Sequence, residues 1–558
     1  MTDNKERAVR LPWQDRYPRG VDWSLDMPLR PVHALLDAAA ANTPFAPFID
    51  FLGRRFTYDE AARLIARATR GLQGLGVRKG IHVGLFMPNC TYSVICYFAI
   101  LKAGGTVVNY NPLAAERELV RQIEDSETDI MMTLDLAPLC RNLAVALKRT
   151  RLQRVVICHF GRALPLLKSL SFHLMHREDL TSLPRDPQYV SFGSLIRNDG
   201  AYEAAEITPR TDIAVIQYTG GTTGDPKGVM LSHQNIYANT IQIRAWFTKA
   251  EPARERLLAL LPFSHCFGMT AVMNFAVSLQ AELIILPRFN LKETLETIGR
   301  KRVTLLVGVP TLFHAINQSP DLARYDFTSL KVSISGGDVL PRAVQEKFTA
   351  LTRCPLAEGY GLTESAPVVA CSNPLEGIDL AGSCGLPLPR TVIEIISTED
   401  RRTCVPAGEI GEICVRGPQV MLGYWKQPAA TAGALVSGRL HTGDIGWMDE
   451  DGFLYFVDRL KDVIVVQGYK VYPRVVEDAI RLHPGVSDVT VVGAVDPVRG
   501  HVPIAFVVRA PGEQLTEQRL RAFLTDKLSP VEIPRSFEFR DKLLKSAAGK
   551  NLRRGQGG

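Results

Sequence analysis

The sequence predicts an α/β fold: a large N-terminal domain of layered α/β sheets with a small β subdomain, followed by an α+β C-terminal domain. Short apolar runs alternate with amphipathic segments through most of the 558-residue chain. Between 382 and 457, apolar and polar residues alternate between glycines and prolines, which is typical of antiparallel strands. Beyond 462, strand and helix patterns fill about a hundred residues, the size of one small domain.

The first part of the chain predicts a β–α–β–α–β succession. Its segments are a buried strand at 82–87, a helix at 91–104, a strand at 105–112, a helix at 114–127 and a strand at 129–134. That succession is typical of a parallel sheet covered by helices. Similar apolar runs predict further strands at 304–310, 331–338 and 355–361, each ending in a turn. Open α/β sheets bind ligands at such strand ends.

A charged joint, "DRLKD" at 458–462, separates the predicted domains. We therefore predict an N-terminal domain at 1–457, a hinge at 458–462 and a C-terminal domain at 463–558. The C-terminal part contains strand patterns at 463–468, 486–496 and 503–510 and helix patterns at 472–485 and 516–528.

Composition narrows the function classes. The net charge of +7, from 65 basic and 58 acidic side chains, suits an anionic ligand but is too small and too dispersed to indicate nucleic acid. None of the ten cysteines forms a C-x-x-C pair, so we expect buried, reduced thiols rather than zinc. The N-terminus has no apolar signal region, and the longest apolar stretches contain charged or polar residues. We expect a soluble, cytoplasmic protein.

The glycine-rich stretch at 218–228, "YTGGTTGDPKG", predicts a phosphate-binding loop. An apolar strand precedes it, and Ser232 can cap a helix that follows it. Glycines let backbone N–H groups approach phosphates, threonine hydroxyls add donors, and Lys227 adds a positive charge. It is not a Walker A loop, because Pro226 precedes the lysine and Gly228 follows it.

Five motifs in order resemble those of the adenylate-forming superfamily, which includes acyl-CoA synthetases, firefly-type luciferases and peptide-synthetase adenylation domains. They are "YTGGTTGDPKG" at 218–228, "EGYGLTES" at 358–365, "HTGD" at 441–444, "DRLKDVIVVQGYKVYP" at 458–473 and "KSAAGKNLRR" at 545–554. The glycine at 220, where the superfamily usually has serine, and the leader at 12–23 resemble bacterial long-chain fatty-acid–CoA ligases most.

The resemblance implies that ATP and a fatty acid first form an acyl-adenylate. It places Lys550 between the carboxylate and the α-phosphate, Glu364 on Mg²⁺ with Thr222, and His265 beside the reacting carboxylate. Asp444 is expected to accept hydrogen bonds from the ribose hydroxyls with support from Arg459. The remaining residues expected around ATP and AMP are Thr219, Gly220, Gly221, Thr223, Gly224, Lys227, Gly337, Glu358, Gly359, Tyr360, Gly361, Leu362 and Thr363.

The resemblance also implies that coenzyme A attacks in a second step, after the mobile C-terminal domain swings about Lys461. Gly468, Tyr469 and Lys470 would then line the approach of CoA. The chain departs from the family pattern at Leu544, where proline is usual, and at Val475, where glutamate is common. A tryptophan gate found in some long-chain members has no counterpart near Met269, so a pliant tunnel is expected instead.

The segment 163–179 places Leu166, Leu170 and Leu174 on one helical face among basic residues. It predicts either peripheral contact with the inner face of an anionic membrane or an ordinary packed helix. The resemblance leaves open whether the chain forms a homodimer.

The leading hypothesis is an AMP-forming long-chain fatty-acid–CoA ligase that uses Mg²⁺, ATP and CoA. Rival hypotheses keep the fold but change the acid to a medium-chain or aryl acid, or transfer the acyl group to a carrier protein. Two others are a luciferase-like oxidoreductase and a non-catalytic nucleotide-binding protein. The presence of Lys550, Glu364 and Asp444 argues against the last.

Overall fold

The computed structural model describes residues 11–175, 177–181, 185–219, 226–466, 469–496 and 500–543. The described helices are α1 (Ala34–Asn42), α2 (Tyr58–Gly74), α3 (Thr91–Lys102), α4 (Glu116–Asp125), α5 (Ala137–Arg149), α6 (Phe160–Ala163), α7 (Leu166–Met175), α8 (Phe192–Leu195), α9 (His233–Trp246), α10 (Cys266–Gly268), α11 (Phe275–Ser278), α12 (Leu291–Lys301), α13 (Pro310–Asn317), α14 (Arg342–Thr352), α15 (Pro428–Ala434), α16 (Pro473–Arg481) and α17 (Glu517–Leu524).

The described strands are β1 (Pro47–Phe51), β2 (Arg54–Thr57), β3 (His82–Phe86), β4 (Thr106–Asn109), β5 (Thr128–Leu134), β6 (Arg154–Cys158), β7 (Tyr189–Ser191), β8 (Ile213–Thr219), β9 (Lys227–Ser232), β10 (Arg256–Ala259), β11 (Glu282–Ile285), β12 (Leu305–Gly308), β13 (Val332–Gly336), β14 (Leu356–Gly361), β15 (Val368–Cys371), β16 (Leu386–Pro387), β17 (Val392–Ile396), β18 (Gly411–Arg416), β19 (Gly423–Tyr424), β20 (Leu435–Val436), β21 (Arg439–Met448), β22 (Leu454–Arg459), β23 (Ile464–Val466), β24 (Tyr469–Val471), β25 (Val486–Asp496), β26 (Gly500–Arg509) and β27 (Ser536–Phe539).

The chain forms two compact units, Met1–Val392 with Arg416–Leu440, and Ile393–Val415 with His441–Gly558. Two large sheets of described strands organise the first unit. One has the order β16-β15-β14-β13-β12-β10-β11-β1-β2 and the other β19-β9-β8-β4-β3-β5-β6-β7. Their central pairs, such as β3 with β4 and β13 with β14, are parallel. The predicted α/β fold with parallel sheets is therefore confirmed.

Helices cover these sheets because their sequences present apolar surface to them. Every side chain of α3 is buried, as expected for a helix that is apolar on all sides. A capping box begins α2, in which the Thr57 hydroxyl accepts the Glu60 N–H and the Glu60 carboxylate accepts the Thr57 N–H. Ser232 and Asn235 form the same arrangement at α9, which confirms the predicted cap.

The second unit contains antiparallel strands and the C-terminal elements. Within it β21 pairs antiparallel with β22, so Asp444 faces Arg459 across the ladder. A second sheet has the order β24-β23-β26-β25 with β27 along β26. Helices α16 and α17 pack on that sheet around Val476, Ile480, Leu520 and Leu524, which are buried. The unit thus includes both the β region at 393–415 and 441–459 and the α+β elements that follow. The predicted boundary at 458–462 remains a prediction.

All ten cysteines lie among the described residues, and none is in a disulfide. Nine are buried, and Cys404 is exposed. Burial raises the pKa of Cys90 to about 12 and the pKa of Cys140 and Cys354 to about 11. The expected buried thiols are therefore found. None of the described helices combines the length and the apolar character needed to cross a bilayer.

A buried histidine at the start of α9 makes the stability of the first unit depend on pH. The His233 ring is buried, and its Nδ1 accepts the Val32 N–H at 3.2 Å. This hydrogen bond requires that Nδ1 carry no proton. Burial, with the nearby His33, lowers the pKa of His233 to about 3. The unfolded chain binds a proton below its ordinary pKa of about 6.5 while the folded chain does not.

We therefore expect the melting temperature to fall as pH drops below about 6.5, with this histidine contributing up to about 1.4 kcal/mol per pH unit. His233→Asn keeps an acceptor near the Nδ1 position and should reduce the slope. Thermal unfolding followed between neutral pH and pH about 5 measures how steeply the melting temperature falls with pH. The matched control is His314→Asn, an exposed site, which should leave the slope unchanged. Equal slopes in the parent and His233→Asn would contradict the prediction.

Candidate active site

The glycine-rich stretch connects two antiparallel strands. Thr219, the last residue of β8, pairs with Lys227, the first residue of β9. The residues between them that were predicted to contact phosphates, Gly220, Gly221, Thr222, Thr223 and Gly224, lie outside the described residues. The expected order of strand, loop and helix is wrong in one respect, because β9 stands between the loop and α9. The backbone hydrogen bonds between β9 and β8 give Lys227 a fixed position at the base of the loop.

Lys227, Glu364 and Tyr424 meet at this position. The Lys227 Nζ lies 4.8 Å from the centroid of the Tyr424 ring, and the Tyr424 hydroxyl donates to Glu364 Oε1 at 2.9 Å. Burial, together with the charge and the hydrogen bond of Glu364, raises the pKa of Tyr424. The phenol therefore stays protonated and neutral between a cation and a carboxylate. The structure brings together the loop lysine and the predicted magnesium carboxylate.

Tyr424 was missed by the sequence analysis. It lies on β19, which pairs antiparallel with β9 so that Tyr424 faces Val229. The backbone N–H of Trp425 donates to the Gly228 carbonyl at 2.7 Å, which extends the pairing of β19 with β9 toward the start of β9. The available signal was an aromatic residue after a glycine in "MLGYW", and that pattern alone does not distinguish a site residue from a core residue.

The residues predicted around adenine follow two neighbouring parallel strands. Ser335 pairs with Glu358 and Gly336 with Gly359, so Gly337 and the 358–361 stretch lie at the same edge of the sheet. Gly337 has a φ of +82°, which favours glycine. The Glu358 carboxylate is buried and accepts the Leu340 N–H at 3.0 Å, which fixes the turn after Gly337. Tyr360 is buried beside them on β14.

The chain turns sharply after β14 to present Glu364. A Cβ at Gly361 would lie 2.0 Å from the Pro367 carbonyl oxygen, so only glycine fits there. The Leu362 N–H donates to that carbonyl at 3.0 Å, and Thr363–Ser365 form one 3₁₀ turn. The Glu364 carbonyl in turn accepts the Met421 N–H at 2.8 Å. These bonds hold Glu364 at the carboxyl end of a central strand.

The acyl-side segment places His265 at the start of α10. Its ring is exposed, and its Nδ1 accepts the Phe267 N–H at 3.3 Å. Met269 is fully buried and begins a π-helical segment, Met269–Asn274, a conformation frequent at functional sites. A cavity of about 10 Å³, room for about one water, lies behind the segment. Its lining consists of Leu85, Met87, Ser93, Tyr97, Asn109, Phe263, Ser264 and Met273.

In the second unit, Asp444 and Arg459 lie together as the resemblance implied. The Arg459 Nε is 3.5 Å from Asp444 Oδ1, and the Asp444 N–H donates to the Thr442 hydroxyl at 3.1 Å. Asp444 is buried, whereas Arg459 is more exposed. The oxygens of a carboxylate can accept hydrogen bonds from hydroxyl groups.

A buried cluster of Glu412, Cys414 and His441 supports the turn that carries Asp444. Glu412 Oε2 lies 2.8 Å from His441 Nδ1, and Glu412 Oε1 accepts the Gly443 N–H at 3.1 Å. The Cys414 sulfur lies 3.4 Å from the same histidine nitrogen. These three side chains are close enough to hold a metal ion. Because the carboxylate already accepts a backbone N–H and lies 3.4 Å from the Arg401 guanidinium, we interpret the cluster as a support for residues 441–444.

The predicted hinge residue, Lys461, lies in the 3₁₀ turn Leu460–Asp462. Just before it, the buried carboxylate of Asp458 accepts the Arg459 N–H at 2.8 Å and the Arg474 N–H at 2.7 Å. Asp458 thereby connects the joint to the first turn of α16, where Val475 is partly exposed. A negative charge at a helix N-terminus is favourable.

Among the predicted CoA-side residues, Tyr469 is exposed and the Lys470 ammonium donates to the Thr398 hydroxyl at 2.7 Å. Gly468 lies outside the described residues, as do Leu544 and Lys550. The placement of Lys550 at the reacting groups thus remains a prediction.

Comparisons with known proteins agree with this arrangement of motifs. The model of the AMP-binding enzyme family matches residues 36–425, and that of the AMP-binding enzyme C-terminal domain matches 475–550. A long-chain-fatty-acid–CoA ligase of Bacillus subtilis is 39% identical over 97% of both chains. One from Escherichia coli is 37% identical, also over 97% of each.

Solved structures with the same fold include enzymes that carry nucleotides or adenylates. ATP-bound MatB from Rhodopseudomonas palustris superposes with a TM-score of 0.82 at 26% identity, covering 94% of this chain and 97% of that one. o-Succinylbenzoate CoA synthetase (MenE) from Bacillus subtilis, in complex with its acyl-adenylate intermediate, has a TM-score of 0.75 at 26% identity, covering 94% and 98%.

Proposed function

Because the chain belongs to the family of AMP-binding enzymes, we propose that it is an ATP-dependent ligase that joins a long-chain fatty acid to coenzyme A. The reaction passes through an acyl-adenylate and releases AMP and pyrophosphate. The observation that carries the proposal is the full-length similarity to ligases named for this reaction. The meeting of Lys227, Tyr424 and Glu364 beside the glycine-rich loop supports it.

In the first half-reaction, a carboxylate oxygen of the fatty acid forms a bond to the α-phosphorus of ATP, and the bond from that phosphorus to pyrophosphate breaks. Two anions must approach each other, so fixed positive charge and positioning are the main requirements. Lys227 supplies charge at the base of the loop, and we propose that Lys550 supplies it at the reacting oxygens. His265 is proposed to lie beside the acid.

The residues present fit a magnesium ion. Mg²⁺ takes one or two protein carboxylates and keeps several waters. Glu364 offers such a carboxylate at the end of β14, and Thr222 in the adjoining loop is the proposed hydroxyl partner. When bound, the ion neutralises negative charge on the phosphates. Tyr424 orients the Glu364 carboxylate through its hydroxyl.

The nucleoside is proposed to lie against the strand ends already described. Tyr360 would offer its ring to the adenine face, with Gly337 and the backbone at 358–359 lining the purine. Asp444 would accept hydrogen bonds from both ribose hydroxyls, supported by Arg459 at 3.5 Å. These roles require fixed geometry, which the Gly443 and Leu340 backbone hydrogen bonds to buried carboxylates supply.

In the second half-reaction, the CoA sulfur bonds to the acyl carbon, the bond from that carbon to the AMP oxygen breaks, and the thiol proton is lost. We propose that the C-terminal domain turns about Lys461 between the two halves. Tyr469 and Lys470, which are exposed at β24, would then line the approach of CoA with Gly468.

Lys461→Pro should slow thioester formation roughly tenfold or more while adenylate formation changes little, since hinge changes act on conformational steps. Proline fixes φ at about −65°, so rotation about that backbone bond of residue 461 is lost. Separate assays of ATP-dependent adenylate formation and of thioester formation measure the two halves. Lys461→Ala, which keeps backbone freedom, is the control. An equal loss in both halves would count against hinge motion.

An AMP-release screen tests the substrate. It compares saturated acids from about six to about eighteen carbons and aryl acids, because each buried CH₂ adds about 0.8 kcal/mol. The proposal expects release that needs an acid, thioester only when CoA is added, and a maximum with long chains. A maximum with medium-chain or aryl acids would support a ligase for those acids. Acyl transfer to a carrier protein and not to CoA would support the carrier-protein hypothesis. Light emission or oxygen uptake would indicate the oxidoreductase.

We propose a cytoplasmic location with peripheral contact at the inner face of the membrane through residues 163–179. Long-chain acids partition into bilayers because their apolar surface leaves water. Light scattering in solution measures whether the chain forms a homodimer.

A further inference from the structure

The carboxylate of Asp125, the last residue of α4, contacts the strand that leads into the glycine-rich loop. The Tyr218 hydroxyl donates a hydrogen bond to Asp125 Oδ2. Tyr218 lies on β8 directly before Thr219, the residue that pairs with Lys227. Burial, together with the hydrogen bond and the charge of Asp125, raises the pKa of Tyr218, so the phenol remains a donor. This bond joins the end of α4 to the strand at the base of the loop.

The backbone of Asp125 contacts a second segment of the site. Its carbonyl accepts the indole N–H of Trp425 at 2.9 Å. Trp425 directly follows Tyr424, whose hydroxyl donates to Glu364 at 2.9 Å. Asp125 therefore bonds to Tyr218, which precedes the loop, and to the neighbour of the tyrosine that orients the predicted magnesium carboxylate.

The two contacts of Asp125 reach across strand β9. Tyr218 comes from β8 and Trp425 from the residue after β19, and β8 and β19 lie on either side of β9 in the sheet. The two aromatic residues meet over Gly228. A Cβ at that glycine would lie 3.3 Å from both the Tyr218 Cζ and the Trp425 Cβ. Gly228 directly follows Lys227, so the position of the loop lysine depends on how these aromatic residues pack.

The turn that follows α4 holds Asp125 in place. The Ser126 carbonyl accepts the His82 Nδ1–H at 2.6 Å. The Ser126 hydroxyl lies 2.8 Å from the Tyr110 hydroxyl and 2.8 Å from the Thr128 hydroxyl. These four residues are buried. Because a buried polar network whose members are hydrogen-bonded is rigid, Asp125 presents its carboxylate and its carbonyl from a fixed position.

We propose that Asp125 is a positioning residue for adenylate formation. Through Tyr218 and Trp425 it aligns β8, β9 and β19, the strands that carry or orient the groups proposed to hold ATP and Mg²⁺. The inference therefore rests on the proposed function. Misplacement of such groups by about 1 Å can slow a reaction about a hundredfold. Because the Asp125 side chain acts here as a hydrogen-bond acceptor, the role requires its oxygen and not its negative charge.

The test compares the full-length parent with Asp125→Ala, Asp125→Asn and Tyr218→Phe. The first variant removes the acceptor, the second keeps an acceptor oxygen without the charge, and the third removes only the donor. All three keep the Asp125 carbonyl that Trp425 contacts. The matched control is Glu127→Gln, which changes an acid on the same turn whose ion pair with Lys426, at 2.8 Å, is partly exposed. ATP binding, adenylate formation at varied ATP, and thioester formation from supplied acyl-adenylate are measured for each protein.

We expect Asp125→Ala and Tyr218→Phe to bind ATP more weakly and to lower kcat/KM for ATP in adenylate formation about ten- to a hundredfold. Asp125→Asn and Glu127→Gln should stay close to the parent. Thioester formation from supplied acyl-adenylate should change little in any variant. The double variant Asp125→Ala/Tyr218→Phe should be no slower than either single variant, because both substitutions remove the same bond.

A parental kcat/KM for ATP in Asp125→Ala would overturn the proposal. Equal slowing of both half-reactions, or effects that multiply in the double variant, would overturn it as well. If Asp125→Ala does not fold, Tyr218→Phe decides, because it removes only the hydroxyl oxygen. A parent that forms no adenylate with any acid would overturn the proposed function, and the ATP affinities of the parent and Tyr218→Phe would still decide the positioning role.

Discussion

A Glu364→Gln protein should release AMP about a hundred- to a thousand-fold more slowly than the parent, the usual cost of removing one fixed group that stabilises phosphoryl charge. Glutamine has the same size, and its Oε1 can still accept the Tyr424 hydroxyl that now bonds Glu364 at 2.9 Å. The turn at Thr363–Ser365 is held by backbone bonds, which the substitution leaves in place. Only the negative charge is removed.

Two measurements separate loss of metal binding from misfolding. AMP release is followed as Mg²⁺ is raised, and the variant should need more of the ion for half-maximal rate. The melting temperature should stay close to that of the parent. Glu399→Gln, at an exposed site, serves as the control and should behave as the parent does. A Glu364→Gln protein with parental rate and parental Mg²⁺ dependence would show that this carboxylate does not hold the ion.

Lys550→Ala should slow acyl-adenylate formation by about two to three orders of magnitude, because a positive charge between two reacting anions acts mainly in the transition state. The second half-reaction should persist. When synthetic acyl-adenylate and CoA are supplied, thioester should form at close to the parental rate. Rapid-quench assays of each half measure the two rates separately.

Lys545→Ala is the matched control, because it removes a lysine five positions away in the same basic stretch. It should leave both halves nearly unchanged if the effect belongs to Lys550 and not to the general charge of the tail. Equal slowing of both halves in Lys550→Ala would indicate a structural role for the lysine, and an unchanged first half would remove it from the reaction.

The strands that carry the site could be predicted from the sequence because burial on both faces leaves a continuous apolar run. The runs at 82–87 and 355–361 are confirmed as β3 and β14, and the Ser232 cap is confirmed at α9. Such signals are local, since the residues that produce them are neighbours in the chain. The order of the five motifs likewise indicated the family, because each motif is a short continuous stretch.

Contacts between distant segments could not be predicted in the same way. Tyr424 is sixty positions from Glu364 in sequence, and only the pairing of β19 with β9 brings the hydroxyl to the carboxylate. Strand β9 was missed because "KGVMLS" is short and follows a glycine-rich loop, so its pairing with β8 had no separate signal. Glu412 and Cys414 alternate along β18 and so share a face, but the histidine they meet comes from β21.

The burial of the cysteines limits which of them can react with the disulfide form of CoA. Nine cysteines are buried, and those whose pKa is raised to about 11 or 12 hold almost no thiolate at neutral pH. The disulfide form of CoA can therefore form a mixed disulfide chiefly with the exposed Cys404, whose thiolate attacks one sulfur and releases the other half as CoA thiol. The nine buried thiols are thus shielded from mixed-disulfide formation, and a thiol-selective dye should label chiefly Cys404.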